Sequence, residues 1–180
     1  TTWTFNFAAQ PWTHAHSYVV KSSATNLAGN VQAAQTNASF TYDVQSPTAT
    51  ATTIALGYLN PTQTALVGTS TDAPAGMSTL DIALSSSGIN SGWYTGATYT
   101  GGAPTYFTTT TYTTGQPDAW TWAYPALTDG KNYTLRIRMN DFAANSRTMD
   151  FSFLYDATPA VASVTYPANG GFAGSAVTLT

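Results

Sequence analysis

The sequence predicts an all-β protein built from β-sandwich units. Strong helix formers are scarce, whereas β-branched and aromatic residues abound, and aromatic residues alone make up 13% of the 180 residues. Apolar and polar residues alternate with a period of two in several segments, and one long segment occurs twice. These observations favour strands over helices, and they indicate a tandem arrangement of similar units.

Composition excludes several classes of function. Charged residues make up only 7% of the chain, and the acidic residues are all aspartate. A chain with so few basic residues has no positive field for nucleic acid and no polybasic patch for anionic lipid, so neither is an expected partner. No apolar run approaches the ~20 residues that span a bilayer, so membrane insertion is not expected. The absence of cysteine excludes disulfides, thiolate metal sites and cysteine nucleophiles.

A segment of the first third of the chain recurs near its C-terminal end. Residues Tyr18–Asn30 align with Tyr133–Asn145 at a constant offset of 115 residues. Residues Phe40–Asp43 align with Phe153–Asp156 at an offset of 113, so the two copies differ in length by two residues. A period near 115 is too long for helical repeats or propeller blades, and it fits a whole β-sandwich domain.

This period divides the chain into three parts. Residues 1–46 are predicted to hold the C-terminal strands of an immunoglobulin-like domain, and residues 47–158 a complete immunoglobulin-like β-sandwich domain. Residues 159–180 are predicted to hold the N-terminal strands of a following immunoglobulin-like domain. The predicted fold class is therefore an immunoglobulin-like β-sandwich in a tandem array, with one complete domain flanked by two partial ones.

The strands of the complete domain follow from local alternation and turn chemistry. Residues 133–139 alternate apolar and polar side chains, residues 151–155 do the same, and the turn-rich sequence NDFAANS between them predicts a hairpin. The full set of predicted strand segments is 48–56, 63–70, 80–84, 133–139 and 151–155, with a threonine-rich middle at 93–96 and 106–113 whose pairing stays open.

Three residues of the complete domain are predicted to have structural roles. Leu127 precedes Tyr133 by six residues with an Asp-Gly turn between them, which suggests a tyrosine corner at the start of the penultimate strand. Trp3 and Trp120 open the two copies of the repeat. A tryptophan that recurs at the same place predicts a repeated role in core packing for Trp120.

Several short motifs carry a family resemblance that covers nearly the whole chain: SSATNLAGN, STDAPAG, WYTG, NDFAAN and TYPANGG. With these motifs the sequence resembles the bacterial immunoglobulin-like (Big/fibronectin-III-like) tandem repeats of large secreted or surface-attached proteins. Two positions depart from the family pattern, since Asn26 replaces its usual aspartate in the first copy and Ala144 its glycine in the second. The resemblance implies a secreted or cell-surface location and a role as a rod, fibril or adhesin stalk. Its partners would be neighbouring repeats or copies of itself.

Three aspartates are predicted to meet where the first two units join. In a rod of such domains the exit of one unit meets two loops of the next; Asp43 lies at that exit, and Asp72 and Asp141 lie in those loops. Oxygen ligands from several loops suit Ca²⁺, and relatives that this chain resembles often stiffen their linkers with calcium. Inter-domain calcium is therefore the one cofactor hypothesis, and the alternative is that these carboxylates bind turn amides. Asp129 and Asp156 offer a similar pair at the next junction.

Aromatic residues suggest a second class of function. Trp93 and Tyr94 lead a group of aromatic residues that could stack against sugars, and this predicts a glycan or another cell-surface ligand. The alternative to the rod is then a carbohydrate-binding module of a secreted protein, and a further one is a filament subunit whose end domains are completed by neighbouring copies. For Trp93 itself, core packing and ligand binding stay equally open.

Sites for other chemistry find little support in the sequence. His14 and His16 could form half of a zinc site, but no third ligand is recognisable, so surface histidines are the favoured interpretation. The aspartates are scattered over turns rather than paired as in glycosidases, and no nucleophile-elbow motif is present. The chain is therefore predicted not to be an enzyme.

Overall fold

The computed structural model describes residues 4, 10–33, 36–87, 91–109, 118–165, 169–172 and 174. The prediction of an all-β protein is confirmed, because strands dominate this part of the chain and its helical content is one 3-10 turn at Thr52–Ile54. No helix among the described residues is long and apolar enough to cross a membrane.

Twelve strands, named β1 to β12 in chain order, are found within the described ranges. They are β1 (Ser17–Ser22), β2 (Thr36–Thr41), β3 (Thr48–Ala49), β4 (Tyr58–Leu59), β5 (Leu66–Thr71), β6 (Met77–Ser86), β7 (Gly92–Tyr94), β8 (Tyr99–Thr100), β9 (Phe107–Thr108), β10 (Asp118–Trp122), β11 (Lys131–Asp141) and β12 (Ser146–Tyr155).

These strands form one hairpin and two larger sheets. Strands β1 and β2 pair with each other in an antiparallel hairpin. A three-stranded sheet has the order β10-β5-β3, and a seven-stranded sheet has the order β4-β12-β11-β6-β7-β8, with β9 also paired to β6. The arrangement of the two larger sheets is compatible with a β-sandwich.

The hydrophobic core is built from the inward positions of the long strands. Alternate residues of β6 and β11 are fully buried and lie opposite one another, because a period of two places every second side chain on the same face. The opposed pairs are Leu84 with Leu135, Ile82 with Ile137, and Leu80 with Met139. From the smaller sheet, Leu66 and Trp120 join the same cluster.

The first strand after residue 47 is shorter than the sequence indicates. A continuous strand over 48–56 is wrong, because β3 ends at Ala49 and the 3-10 turn follows. After this turn, Gly57 adopts a positive φ of 78°, which a glycine accommodates without steric cost. The chain thereby moves from the small sheet, where β3 pairs with β5, to the large one, where β4 runs parallel to β12. The break buries Ile54 between the two strands.

The two copies of the repeat adopt the same strand geometry. The ring of Tyr18 stacks on Phe40 at 5.6 Å between centroids, and Tyr133 stacks on Phe153 at 5.7 Å. In each copy the tyrosine hydroxyl accepts a hydrogen bond of 2.8 Å from the backbone N–H five residues earlier. Hairpin β1–β2 is therefore a structural counterpart of hairpin β11–β12.

The loops that follow β1 and β11 also match. In both loops the first residue donates its backbone N–H to the carbonyl of the fifth, at 3.0 Å and 3.1 Å. Its side-chain oxygen accepts the backbone N–H of that fifth residue, at 2.9 Å and 2.8 Å. The fourth residue has a positive φ, which explains why glycine is the usual choice there. The equivalent pairs are Asn26 and Asp141, Gly29 and Ala144, and Asn30 and Asn145.

Some residues that the sequence analysis singled out lie outside the described ranges. They are Trp3, residues 110–113 of the threonine-rich middle, residues 166–168 of the motif TYPANGG, and residues 175–180 of the last predicted strand.

Candidate metal centre

Asp43, Asp72 and Asp141 come together in one cluster. One carboxylate oxygen of each lies within 4.8 Å of the other two, and no other group of three or more potential metal ligands is found within the described ranges. The three residues are only 8%, 5% and 3% exposed. They come from separate parts of the chain: Asp43 follows β2, Asp72 follows β5 and Asp141 ends β11.

Asp43 ties the exit of hairpin β1–β2 to the sandwich. Its Oδ1 accepts the backbone N–H of Gln45 at 2.9 Å, and its Oδ2 accepts the N–H of Ala75 in the β5–β6 loop at 2.9 Å. His14 Nδ1 lies 3.2 Å from Asp43 Oδ1. The Asp43 side chain therefore connects the segment that follows hairpin β1–β2 to the β5–β6 loop.

The other two aspartates hold the loops in which they lie. Asp72 Oδ2 accepts the N–H of Gly76 at 3.1 Å. Asp141 accepts two hydrogen bonds from Asn145, one from its backbone N–H and one from its side chain, both at 2.8 Å. The Asn145 amide also donates to the carbonyl of Asp43 at 3.3 Å. The three carboxylates therefore accept hydrogen bonds from backbone amides of their turns, which was the alternative to calcium binding, and they also cluster.

The cluster concentrates negative charge in a buried place. Burial, followed by the negative charges of Asp43 and Asp141, raises the pKa of Asp72 above its ordinary value, while the hydrogen bond from Gly76 opposes the shift. Like charges at this separation destabilise one another unless a proton or a cation balances them. In the described part of the chain, the cationic side chain seen to touch the cluster is His14, when it is protonated.

The donor set suits a hard divalent cation. Ca²⁺ takes six to eight oxygen ligands, often carboxylates from separate loops. Each ionised carboxylate has about four lone-pair sites, so an oxygen that accepts one N–H can still bind a metal. The three aspartates could supply the charged ligands of such a site, and nearby backbone carbonyls or water would complete it.

Trp93 and Tyr94 lie on opposite faces of β7, since neighbouring residues of a strand point to opposite sides. The guanidinium of Arg136 lies 4.8 Å from the centre of the Trp93 ring, and Arg136 is paired with Asp150 at 2.7 Å. Tyr94 packs against Tyr99 and the core. The structure therefore does not bring the two side chains together on one stacking platform.

The residues with predicted structural roles lie in or beside the core. Tyr133 is 3% exposed, and its hydroxyl accepts a hydrogen bond from the backbone N–H of Thr128. The preceding residue, Leu127, packs against the core. Trp120 is 3% exposed, and its indole N–H donates to the carbonyl of Thr50 at 3.1 Å. The indole crosses β5 at a glycine, Gly68, where a Cβ would lie 2.5 Å from the ring.

Sequence reasoning missed several contacts of the site. The backbone amide of Ala75, the Asn145 side chain and His14 all take part in the junction. It also missed a second cation–π pair, in which Arg138 lies 3.9 Å from the ring centre of Tyr106. The alternation of residues in β11 was enough to predict that both arginines lie on the outer face. Their aromatic partners, Trp93 and Tyr106, could not be predicted because they are distant in sequence.

No protein-family model matches this chain, and no curated protein matches it either.

Proposed function

We propose that the chain is a structural repeat segment of an extracellular surface protein, acting as a rod, fibril or adhesin stalk. The observation that carries the proposal is the junction at Asp43, where the exit of one hairpin is bonded to two loops of the following sandwich. Domains joined by a short connection move relative to each other unless something restrains them. Hydrogen bonds from two separate loops to the same exit supply such a restraint, which a rod requires. The partners in this proposal are neighbouring repeats or copies of the chain.

An immunoglobulin-like fold for the units is part of the proposal. Support comes from the division of the first strand between two sheets, with β3 antiparallel to β5 and β4 parallel to β12. Further support comes from the tyrosine corner at Tyr133, next to the start of the penultimate strand. The matching corner at Tyr18 favours a tandem array of such units.

The exits of the two copies support regular spacing along a rod. Gln45 N–H donates to Asp43 Oδ1 at 2.9 Å, and in the second copy Thr158 N–H donates to Asp156 Oδ1 at 3.0 Å. Asp129 also accepts the N–H of Ala157 at 2.6 Å and the hydroxyl of Thr158 at 2.8 Å. Each unit would therefore leave its last strand through the same short, hydrogen-bonded turn.

Calcium at the three-aspartate cluster is the cofactor of this proposal. A bound Ca²⁺ would balance the buried charges of Asp43, Asp72 and Asp141 and so hold the exit of one unit against the loops of the next. The same ion would raise the stability of the junction by mass action.

Calcium titration calorimetry and small-angle scattering test this function. We expect one calcium site per chain and a narrower distribution of inter-unit orientations with calcium than with EDTA. The Asp72→Asn variant should lose the calcium response while remaining folded. Absence of heat on calcium addition, together with scattering that EDTA leaves unchanged, would remove calcium from the proposal. Free bending at Asp43–Pro47 under all conditions would contradict the proposed function as a rod.

A carbohydrate-binding module is the second candidate, and the outer face of the large sheet favours it. Trp93 and Tyr106 are half-buried, and each packs against an arginine that is paired with an aspartate. Aromatic rings beside charged hydrogen-bonding groups are suited to sugars. Binding on a glycan array that disappears in Trp93→Ala but persists in Tyr94→Phe would support the module over the rod.

A further inference from the structure

Strand β12 has a free edge along most of its length. Its neighbour on that side, β4, pairs only with the last two residues of β12, where the N–H of Leu154 donates to the carbonyl of Gly57 at 2.9 Å. Backbone groups of successive residues in a strand point to opposite sides, so those of Thr148, Asp150 and Ser152 point to the same side as those of Leu154. Within the described ranges, no backbone group pairs with these three residues on that side. The result is a row of free donors and acceptors about 13 Å long.

An open groove of about 640 Å³ lies beside this edge. One wall comes from residues 150–152 of β12, and the other from the segment between residues 49 and 57 that links β3 to β4. Phe153, next to the pairing with β4, is 2% exposed, whereas Phe151 in the groove is only half-buried. The groove therefore places apolar surface next to unpaired backbone groups. Its apolar lining residues are Ala49, Ala51, Ile54, Ala55 and Phe151.

The groove carries almost no net charge. The wall formed by residues 49–57 has no charged residue. In the other wall, Asp150 is neutralised by Arg136, which donates two hydrogen bonds to its carboxylate, at 2.8 Å and 2.7 Å. Edge strands are commonly protected from further pairing by lysine or proline, and residues 148–152 (TMDFS) contain neither. An uncharged extended peptide is the ligand that suits such a groove.

We infer that the free edge of β12 binds an extended, uncharged peptide segment of a partner protein, which adds a strand to the large sheet. The site continues an interface that already exists, because β4 pairs with the same edge at the next two residues. Main-chain hydrogen bonds to Thr148, Asp150 and Ser152 supply affinity, and every second side chain of the peptide enters the groove. Small apolar side chains such as valine fit those positions. The site shares no residue with the three-aspartate cluster, so the inference goes beyond the proposed structural role.

Amide hydrogen exchange followed by NMR tests the site, with the capped peptide TVTVTVT as the probe. In the free protein the amides of Asp150 and Ser152 should exchange faster than those of Met149 and Phe151, which point towards β11. With about 1 mM peptide, exchange at Asp150 and Ser152 should slow at least about twofold, as a Kd of about 1 mM or tighter requires. The matched control is the same peptide with all its backbone nitrogens methylated, which cannot donate to the edge. Equal protection by both peptides, or protection by neither, would overturn the inference.

Substitutions in the two walls locate the peptide. Ser152→Pro removes an N–H that points away from β11, so the existing ladder is kept, and it should weaken peptide binding at least about tenfold. Ser152→Ala loses the same hydroxyl but keeps the N–H, so it should bind like the wild type. In the other wall, Ala55→Lys adds a charge to the groove at an exposed position and should also weaken binding at least about tenfold. Leu56→Lys is its control, because Leu56 is 89% exposed and lies outside the groove lining.

The variants and the protein concentration decide between the possible occupants. Peptide binding that neither Ser152→Pro nor Ala55→Lys weakens would overturn the inference, because the peptide would then bind elsewhere. Protection of Asp150 and Ser152 that increases with protein concentration in the absence of peptide would also overturn it, since a second copy of the chain would then occupy the edge. Asp72→Asn should leave peptide binding unchanged, so this test is independent of the calcium site.

Discussion

The substitution Asp72→Asn separates the electrostatic role of the three-aspartate cluster from its structural role. Asparagine keeps the size of the side chain and an oxygen that can accept the Gly76 N–H, but it removes one buried negative charge. We expect the variant to be more stable than the wild type in EDTA and less responsive to calcium. Higher stability in EDTA together with a smaller gain from calcium is the signature of a cation site.

The separation of the carboxylates sets the size of the effect. Two unit charges 4.8 Å apart repel by about 3 kcal/mol at an effective dielectric constant near 20, and Asp72 faces two of them. The weaker hydrogen bond from Gly76 to a neutral acceptor offsets about 1–2 kcal/mol of the relief. Two such repulsions less this offset give a net gain of up to about 4–5 kcal/mol in EDTA. Calcium at a hundred times its Kd should stabilise the wild type by about 2.7 kcal/mol, and the variant by less than about 1 kcal/mol if its Kd rises about 100-fold.

Urea unfolding followed by tryptophan fluorescence, in EDTA and in calcium, measures both effects. Asp150→Asn is the matched control, because it makes the same chemical change at the exposed Arg136 ion pair. It should lower stability by no more than about 1 kcal/mol, and equally with and without calcium. If Asp72→Asn destabilises the protein in EDTA, the hydrogen bond from Gly76 to the carboxylate contributes more to stability than the repulsion by Asp43 and Asp141 removes. That result would refute the electrostatic reasoning.

Three further predictions concern the corner, the core and pH. Tyr133→Phe should cost about 1–3 kcal/mol in urea unfolding because it leaves a backbone N–H without its acceptor, while Tyr18→Phe at the more exposed corner should cost less; equal losses would contradict this. Gly68→Ala should lower the melting temperature by about 4–12 °C because the new methyl group would lie 1.9 Å from the Thr50 carbonyl oxygen and 2.5 Å from the Trp120 ring; an unchanged melting temperature would show that both the backbone at Thr50 and the indole can move. In EDTA, stability should rise as pH falls from 7 towards the raised folded-state pKa of Asp72, because the folded state binds that proton more readily than the unfolded state with its ordinary value of 3.8. Below pH 3.8 stability should fall again, because Asp129 and Asp150 have lowered pKa values in the folded state and are protonated more readily in the unfolded state. Stability of the wild type that does not change with pH above pH 4 would contradict the prediction.

Local patterns in the sequence were enough to predict the strand content and the alternation of the core. The inward residues of β6 and β11 follow from a period of two, and the loop of NDFAAN follows from turn chemistry. The clustering of Asp43, Asp72 and Asp141 was expected from the way consecutive domains meet in rods of the family that the sequence resembles. In the structure one carboxylate oxygen of each lies within 4.8 Å of the other two. Their hydrogen bonds to Ala75 and Asn145 could not be predicted, because they depend on how two loops approach each other.

The sequence by itself determined that this protein is all-β and that one strand-turn-strand segment occurs twice, since both properties depend on residues close together in the chain. Only the tertiary structure decided that the first strand gives way to a turn, with Ile54 buried in that turn and β3 and β4 in different sheets. It also placed Trp93 beneath Arg136 and away from Tyr94. Contacts between sheets depend on packing among residues far apart in sequence, and no local period encodes which distant side chain will fill a given space.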